Sequence, residues 1–227
     1  MDKLELLTLI NSKEPEAIIR ALAMMAYNPA IGRVIEKGGV DQFAELMIET
    51  VPKFYGLVSR ERFNAIHAET CEQMLSTLKT NRGETLSYGQ VQKPLNVFLK
   101  VYVDWAKQPS RDLAEKLSPL LHVPLDSLLM GFIAREFPCE YSNRIALLRA
   151  RLATSIAEAM KTTPREVERI LLRQQFSLAG INREMYTAWQ DLLFSLYPAK
   201  PIALDIIWVL ERTRLRAEGA AEAELDS

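Results

Sequence analysis

The chain has 227 residues, of which 48% are apolar and 25% charged, and this composition predicts a globular protein of one or two domains. Its 28 lysines and arginines against 29 aspartates and glutamates leave a net charge of −1, which excludes binding of nucleic acid by a strongly basic overall field and leaves only a local basic face. Two cysteines and two histidines exclude a disulfide framework, a four-cysteine metal site and a histidine-rich metal site, so we expect no metal and no cofactor.

The N-terminal residues, MDKLELLTLINSKEPE, do not resemble a signal peptide, because Glu5 and Asn11 interrupt the apolar run and no small-residue cleavage site follows. No stretch reaches about 18 apolar residues without a charge, as a membrane-spanning helix requires. We therefore expect no membrane segment and a cytoplasmic location, which the low cysteine count also favours.

Apolar residues recur at spacings of three and four along nearly the whole chain, which predicts an all-α fold. Ser59 and Asn182 are placed as helix N-caps, and Thr163–Glu166 forms a capping box. We predict a two-lobed protein, with residues 59–137 as a central lobe and residues 1–58 and 138–227 paired as the other. The eleven or twelve predicted helices span roughly 3–11, 15–27, 29–37, 41–57, 60–79, 88–107, 111–118, 125–136, 142–161, 164–179, 183–196 and 202–217.

The predicted helix 88–107 carries a narrow polar stripe on a mostly apolar surface. At about 100° per residue, four polar residues fall within about 60° of Lys93, and apolar residues fill the opposite side. Such a helix runs through the interior, with its stripe turned to solvent or to a cleft. A lysine between apolar walls is neutral part of the time and can then act as a nucleophile. The stripe comprises Lys93, Asn96, Lys100, Asp104 and Lys107, and the opposite side Val91, Leu95, Phe98, Tyr102, Trp105 and Ala106.

Pro94 directly follows Lys93 and leaves two possible starting points for this helix. If the helix starts near Lys93, residues 86–92 form a turn, and Lys93 lies in the first turn, where the helix dipole disfavours a cation. If the helix starts near residue 88, the proline lies inside it.

Two segments around this lysine resemble the helix-hairpin-helix superfamily of base-excision DNA glycosylases. Leu86–Lys100, LSYGQVQKPLNVFLK, is similar to their leucine–glycine hairpin followed by a catalytic lysine. His122–Met130, HVPLDSLLM, is similar to the segment that supplies their catalytic aspartate. The number of residues between the two segments is similar to that in the archaeal 8-oxoguanine glycosylases. Pro201–Trp208, PIALDIIW, is similar to a segment near the C-terminus of those enzymes. The hairpin lacks the second glycine that these enzymes have beside the lysine.

The resemblance implies a helix-hairpin-helix element and a DNA glycosylase that acts on an oxidised or otherwise modified base. Such an enzyme either only excises the base or also cleaves the strand as a lyase. DNA is the partner that it implies, with a phosphate held by a backbone amide of the hairpin. The candidate residues are Lys93 and Asp126 for catalysis, and Asp205, Trp208, Asn96 and Gly89 for substrate binding.

Base excision breaks a C1′–N bond while positive charge builds on the sugar. A nearby carboxylate stabilises this charge and can deprotonate the attacking group, which suits Asp126. An uncharged lysine attacks C1′ and forms a Schiff base, which suits Lys93. The extruded base needs an aromatic wall, for which Trp105 and Tyr102 are weaker choices than Trp208.

Each assignment has a plainer alternative. Asp126 precedes a predicted helix, so N-capping alone would explain it. Asp205 lies among apolar residues, where a buried carboxylate needs a partner whatever its function. The chain is alternatively a non-catalytic helical binding or scaffold protein. A third interpretation is a HEPN-like ribonuclease, because Arg62 and His67 match the loose Arg-x4–6-His pattern of that family.

Overall fold

A computed structural model of the chain describes Leu4 and residues 14–32, 34–56, 59–160, 163–166 and 178–225. These residues confirm the all-α prediction, and the only strand-like pairs among them are two isolated bridges, Ile35 with Thr80 and Lys79 with Thr85. The predicted helix 3–11 and most of the predicted helix 164–179 lie outside the described residues. The described part of the chain holds ten α-helices: α1 Pro15–Ile31, α2 Gly39–Thr50, α3 Arg60–Thr77, α4 Tyr88–Leu99, α5 Arg111–Leu117, α6 Ser127–Glu136, α7 Pro138–Tyr141, α8 Leu147–Met160, α9 Arg183–Leu196 and α10 Ile207–Leu225.

Shorter helical turns extend several of these helices. Turns of 3-10 helix lie at Val51–Phe54, Ser118–Leu120, Leu178–Gly180 and Pro201–Ile206. Two π-helical segments, Lys100–Trp105 and Ser142–Ala146, follow α4 and α7 directly. Because a π-helix closes i→i+5 hydrogen bonds, residues after such a segment no longer follow the rotational phase of the preceding α-helix.

The prediction of separate helices at 15–27 and 29–37 is wrong. A single helix, α1, continues through Pro29 to Ile31, because a proline in the last turn removes only one backbone hydrogen bond. The chain after α1 then joins the connection between α3 and α4. Glu36 donates its backbone N–H to the Lys79 carbonyl at 3.1 Å, and Asn81 donates to the Val34 carbonyl at 2.8 Å.

The helix-hairpin-helix element expected between α3 and α4 is not confirmed. The connection is a turn centred on Thr80, whose N–H donates to the Glu84 carbonyl at 2.9 Å. Gly83 occupies the left-handed region with φ 76°, which a residue with a side chain rarely adopts. Gly89, expected in the hairpin, lies instead inside α4.

α4 begins at Tyr88, so the alternative in which it starts near Lys93 is wrong. Ser87 is its N-cap, and Ser87 and Gln90 form a reciprocal capping box that satisfies two free N–H groups. Lys93 therefore lies in the second turn, beyond the strongest effect of the helix dipole, and Pro94 lies inside the helix.

α4 is the central helix of the described core, as its pattern predicts. It packs against α1, α3 and α9, and Val91, Leu95 and Phe98 on its apolar side are completely buried. The buried apolar residues form one cluster that draws on both predicted lobes, so the division into two lobes stays a prediction. α10 packs against α6 in the same way across the predicted boundary.

None of the described helices is by itself long and apolar enough to cross a membrane. One sharply bent pair, Arg183–Leu196 with Pro201–Ala217, passes that test by length and composition only, with an angle of 99° between its two parts.

Gly89 is required by a close approach between α4 and the turn before α9. A Cβ atom at position 89 would lie 2.3 Å from the Leu178 carbonyl oxygen and 2.7 Å from Cβ of Ile181. We expect Gly89→Ala to lower the free energy of unfolding by about 1–3 kcal/mol, because backbone must move to relieve the clash.

Urea denaturation followed by circular dichroism measures this effect, and Gly180→Ala is the matched control. A Cβ at position 180 meets no atom within 4 Å, so that variant should lose less than about 0.5 kcal/mol. Equal stability of the two variants would contradict a close approach at Gly89.

Candidate functional site

A non-helical segment, Leu121–Asp126, contacts α4 and leads into α6, and all of it except the partly exposed Asp126 is buried. At Val123 and Leu125, side-chain amides take the place of a helix or strand partner for the backbone. The Val123 N–H donates to Gln190 Oε1 at 2.9 Å, and Gln190 Nε2 donates back to the Val123 carbonyl at 2.8 Å. A single glutamine on α9 thus mimics one step of a β-ladder.

Two residues of α4 hold the same segment from the other side. Asn96 Nδ2 donates to the Val123 carbonyl at 3.3 Å. Gln92 accepts from the Leu125 N–H at 3.4 Å and donates to the Leu125 carbonyl at 3.5 Å. The segment is therefore fixed to α4 at two of its residues, directly before Asp126.

Asp126 carries out two tasks with its two carboxylate oxygens. Oδ1 accepts the Leu129 N–H at 2.8 Å, so Asp126 is the N-cap of α6 as the capping alternative predicts. Oδ2 lies 3.5 Å from Nζ of Lys93. The structure thus brings together the two residues that the sequence predicts as catalytic, which are separated by about one seventh of the chain.

Both partners are only partly accessible. The side chain of Lys93 is 21% exposed and that of Asp126 15%, so the pair lies at the edge of the core and not in free solvent. An amine and a carboxylate held this close can exchange a proton with each other and reach a ligand at the surface.

A second lysine–aspartate pair lies beside the first. Lys100, seven residues after Lys93 and the first residue of the π-helical segment that follows α4, donates to Oδ2 of Asp205 at 2.5 Å. Burial raises the pKa of Asp205, the positive charges of Lys100 and Lys93 oppose this, and the negative charge of Asp126 adds to it. The four residues Lys93, Lys100, Asp126 and Asp205 therefore form one electrostatic unit, which we call the lysine–aspartate cluster.

The polar stripe of α4 continues beyond this cluster. Asp104 accepts from Lys200 at 2.7 Å and from Ser118 at 3.2 Å, and Lys107 lies 3.5 Å away. Burial acts to raise the pKa of Asp104, but the hydrogen bond and charge of Lys200, together with Lys107 and Ser118, outweigh it and lower the pKa.

The remaining predicted substrate-binding residues lie in three different settings. Asn96 is completely buried and bonded to Gln92 and Tyr186, so it presents no surface to a ligand. The backbone N–H of Gly89 donates to the Ile181 carbonyl at 3.0 Å and is occupied within the chain. Trp208, in the first turn of α10, is half-buried and close in sequence to Asp205.

Trp105 departs from the sequence expectation. Its position in the α-helical pattern predicts burial on the apolar side of the predicted helix 88–107, yet 65% of its surface is exposed. The π-helical segment Lys100–Trp105 shifts the phase of the helix and carries this residue out of the buried side. Nothing in the sequence pattern reveals that shift.

A pair of buried histidines, which the sequence does not predict, lies in the core and is bonded to Asn96 of α4. The rings of His67 and His122 lie 4.4 Å apart between centroids, and both are buried. His67 Nε2 lies 2.7 Å from Asn96 Oδ1, and His122 Nε2 lies 2.8 Å from Asn64 Oδ1. Because both amide oxygens only accept, each histidine carries its hydrogen on Nε2.

The other ring nitrogens then act as acceptors. Tyr186 donates its hydroxyl hydrogen to His122 Nδ1 at 2.8 Å, and the Cys71 thiol donates to His67 Nδ1 at 3.7 Å. This assignment satisfies every member with both histidines neutral. Burial lowers the pKa of His67 to about 4, against the opposing hydrogen bond with Asn96. Burial, followed by the charges of His67 and Arg60, holds the pKa of His122 well below its usual value.

This placement gives the HEPN alternative no support. His67 is 1% exposed and faces the core, whereas Arg62, five residues earlier on α3, is exposed to solvent. The two side chains do not converge on a common surface within the chain.

Two cavities lie away from the lysine–aspartate cluster. One, of about 550 Å³, lies between the start of α4, α8 and α9 and is lined largely by apolar residues such as Leu86 and Trp189. The other, of about 780 Å³, is an open groove between α8 and α9. Neither is lined by a member of the cluster. Within the described residues, no three histidine, cysteine, aspartate or glutamate side chains are grouped to hold a metal ion.

Comparisons with protein-family models, with curated proteins and with solved structures find no match for this chain.

Gln190 supports the buried segment most directly, and its replacement tests that support. Gln190→Met keeps the approximate volume but leaves the Val123 N–H without its partner, while the Val123 carbonyl keeps only the longer hydrogen bond from Asn96 at 3.3 Å. We expect a loss of about 1–3 kcal/mol in the free energy of unfolding, measured in urea. Gln42→Met, at an exposed position of α2, is the control and should change stability by less than about 0.5 kcal/mol. Similar small losses in both variants would show that the segment does not depend on Gln190.

The histidine pair predicts a pH dependence of stability. An unfolded histidine takes up a proton near pH 6.5, whereas folded His67 does so only near 4. Between these values the unfolded chain binds more protons, so stability is complete above about pH 7 and falls on acidification. The lowered pKa of His67 alone corresponds to about 3 kcal/mol of folding stability that is present at neutral pH and lost in acid.

Thermal unfolding between pH 7 and pH 5 measures this dependence, because most carboxylates titrate below that range. The double variant His67→Gln/His122→Gln should have a lower Tm at pH 7 but a flatter pH profile than the wild type. Parallel profiles for the two proteins would contradict the burial of neutral histidines.

Proposed function

We propose that the protein is a DNA base-excision glycosylase/lyase-like enzyme that acts on a modified base, with Lys93 as nucleophile and Asp126 as its proton acceptor. The observation that carries this proposal is the 3.5 Å approach of Lys93 Nζ to Asp126 Oδ2. The resemblance of the two segments around these residues to base-excision glycosylases supports it independently of this distance.

In the proposed reaction, Asp126 takes a proton from the ammonium group of Lys93. The neutral amine attacks C1′ of the damaged nucleotide, the C1′–N bond breaks, and the base leaves with the bonding electrons and takes the proton from Asp126. The nitrogen now bonded to C1′ loses one proton to Asp126 and expels O4′, which receives that proton, so the sugar ring opens to a protonated Schiff base between Lys93 and C1′. The Asp126 carboxylate, ionised again, stabilises the positive charge of this Schiff base.

Asp205 and Lys100 would contact the extruded base in this proposal. The largely buried carboxylate–ammonium pair offers both an acceptor and a donor, which suits the polar edge of a base that enters the site. Trp208, three residues after Asp205, would supply the aromatic wall, and an oxidised purine would be one fitting base.

A non-catalytic binding or scaffold protein is the second candidate. The observation that favours it is that both lysines of the cluster already face an aspartate, while the two cavities described above lie elsewhere. The two candidates differ in one measurable property, the formation of a covalent intermediate.

Reductive trapping tests the proposal. DNA duplexes that contain an abasic site or 8-oxoguanine are incubated with the protein and sodium borohydride, and covalent product is resolved on a denaturing gel. We expect wild-type product, and none with Lys93→Arg, which keeps a positive charge beside Asp126 but has no amine that forms a stable Schiff base. Lys116→Arg, at an exposed position of α5, should trap as the wild type does.

Asp126→Asn separates capping from chemistry, because asparagine caps helices about as well as aspartate does. We expect this variant to keep wild-type stability and to trap at least about 100-fold more slowly. Trapping that persists in Lys93→Arg, or its absence with every lesion and abasic substrate, would overturn the enzymatic proposal in favour of the binding protein.

A further inference from the structure

An exposed tryptophan ends the π-helical segment that follows α4, with Lys100 against its ring and with Lys107 and Lys200 on the adjacent Asp104. We call Trp105 and these three lysines the patch. Trp105 is 65% exposed, which is unusual for a residue type that is highly buried on average. Nζ of Lys100 lies 4.6 Å from the centre of its ring. This is a cation–π contact, so one lysine joins the cluster to the exposed aromatic side chain.

The charges of this patch are arranged with the cations outermost. The side chains of Lys107 and Lys200 are 41% and 40% exposed, whereas Asp104, which both of them approach, is only 11% exposed. Asp205, the partner of Lys100, is 7% exposed. Solvent and ligands therefore meet two ammonium groups and an indole ring, with the carboxylates behind them.

The backbone contributes to this arrangement at Lys107. Its φ of 54° lies in the left-handed region, which is uncommon for a residue other than glycine. The helical segment ends at Trp105, and the Lys107 side chain donates to Oδ1 of Asp104, three residues earlier, at 3.5 Å. Lys107 thus contacts the residue that directly precedes Trp105.

We propose that this patch binds an unstacked nucleotide of a single-stranded or locally opened DNA strand, with the base on the Trp105 ring and the adjacent phosphates on Lys107 and Lys200. Stacking on an exposed aromatic ring beside cationic side chains is the usual chemistry of single-strand binding and does not depend on base identity. The proposal deepens the proposed function, since it assigns the strand next to the reacting nucleotide to a defined surface.

An acidic peptide would meet the same lysines but would gain little from the indole ring. The exposure of Trp105 therefore favours nucleic acid, and the peptide serves as a competing probe in the test.

The test measures binding of a fluorescein-labelled twelve-residue oligothymidylate to the full chain by fluorescence anisotropy. This probe carries no lesion, so binding is separate from chemistry. We expect Trp105→Ala to weaken binding about fivefold or more, and Trp105→Phe to keep most of the affinity, because stacking needs a ring and not an indole. Tyr197→Ala, at another exposed aromatic residue, should leave the affinity unchanged.

Salt dependence identifies the phosphate contacts. The double variant Lys107→Gln/Lys200→Gln should reduce the slope of log K against log salt by about 1.4, which corresponds to two single-strand phosphate contacts. A blunt-ended DNA duplex of twelve base pairs should bind more weakly than the single strand. A twelve-residue polyglutamate should not compete with the oligothymidylate for the protein.

Equal binding by Trp105→Ala and the wild type, no binding of the oligothymidylate, or efficient competition by polyglutamate would overturn the inference. Its outcome is distinguishable from that of the proposed function. If binding depends on Trp105 but borohydride traps no product, the protein binds single strands and is not the proposed enzyme. If borohydride traps product but binding does not depend on Trp105, the protein is the proposed enzyme and the patch does not bind DNA.

Discussion

The geometry of the site depends on how an extended segment is accommodated inside a helical protein. Leu121–Leu125 is buried, yet no neighbouring strand offers its backbone groups partners. Gln190 from α9 and Gln92 and Asn96 from α4 provide these partners with their side-chain amides. Because an unpaired buried backbone group costs about 1–3 kcal/mol, these three residues fix the segment and hence the place of Asp126.

The same amides connect the site to the polar core below it. Asn96 bonds at once to the segment, to His67 and to Tyr186, and Tyr186 bonds in turn to His122 within the segment. The helices α3, α4 and α9 and the segment thus share one network in which every proton has a place. A network of this kind is rigid when complete and costly when one member is lost or charged, which links the site's geometry to the neutrality of two histidines.

Much of this arrangement follows from sequence pattern. The apolar spacing predicts the helices, and the residue type of Asp126 before an apolar run predicts its role as N-cap. The resemblance predicts that Lys93, Asp126 and Asp205 belong to one site.

Sequence pattern does not predict the features that tertiary contacts determine. Asn96 lies on the polar stripe, which predicts a surface position, but it is buried and donates a hydrogen bond to the buried segment. The resemblance implies a phosphate contact at the Gly89 backbone, but its N–H donates to the Ile181 carbonyl. The exposure of Trp105 results from a π-helical segment that no spacing rule indicates.

The central claim is that Lys93, held beside Asp126, is the amine that reacts with DNA. Peptide mapping by mass spectrometry after borohydride reduction of the wild-type protein on abasic DNA tests it most directly. The account predicts that the deoxyribose adduct is found on the peptide that contains Lys93 and on that lysine alone. An adduct on Lys100, on the N-terminal amine or spread over surface lysines would contradict it.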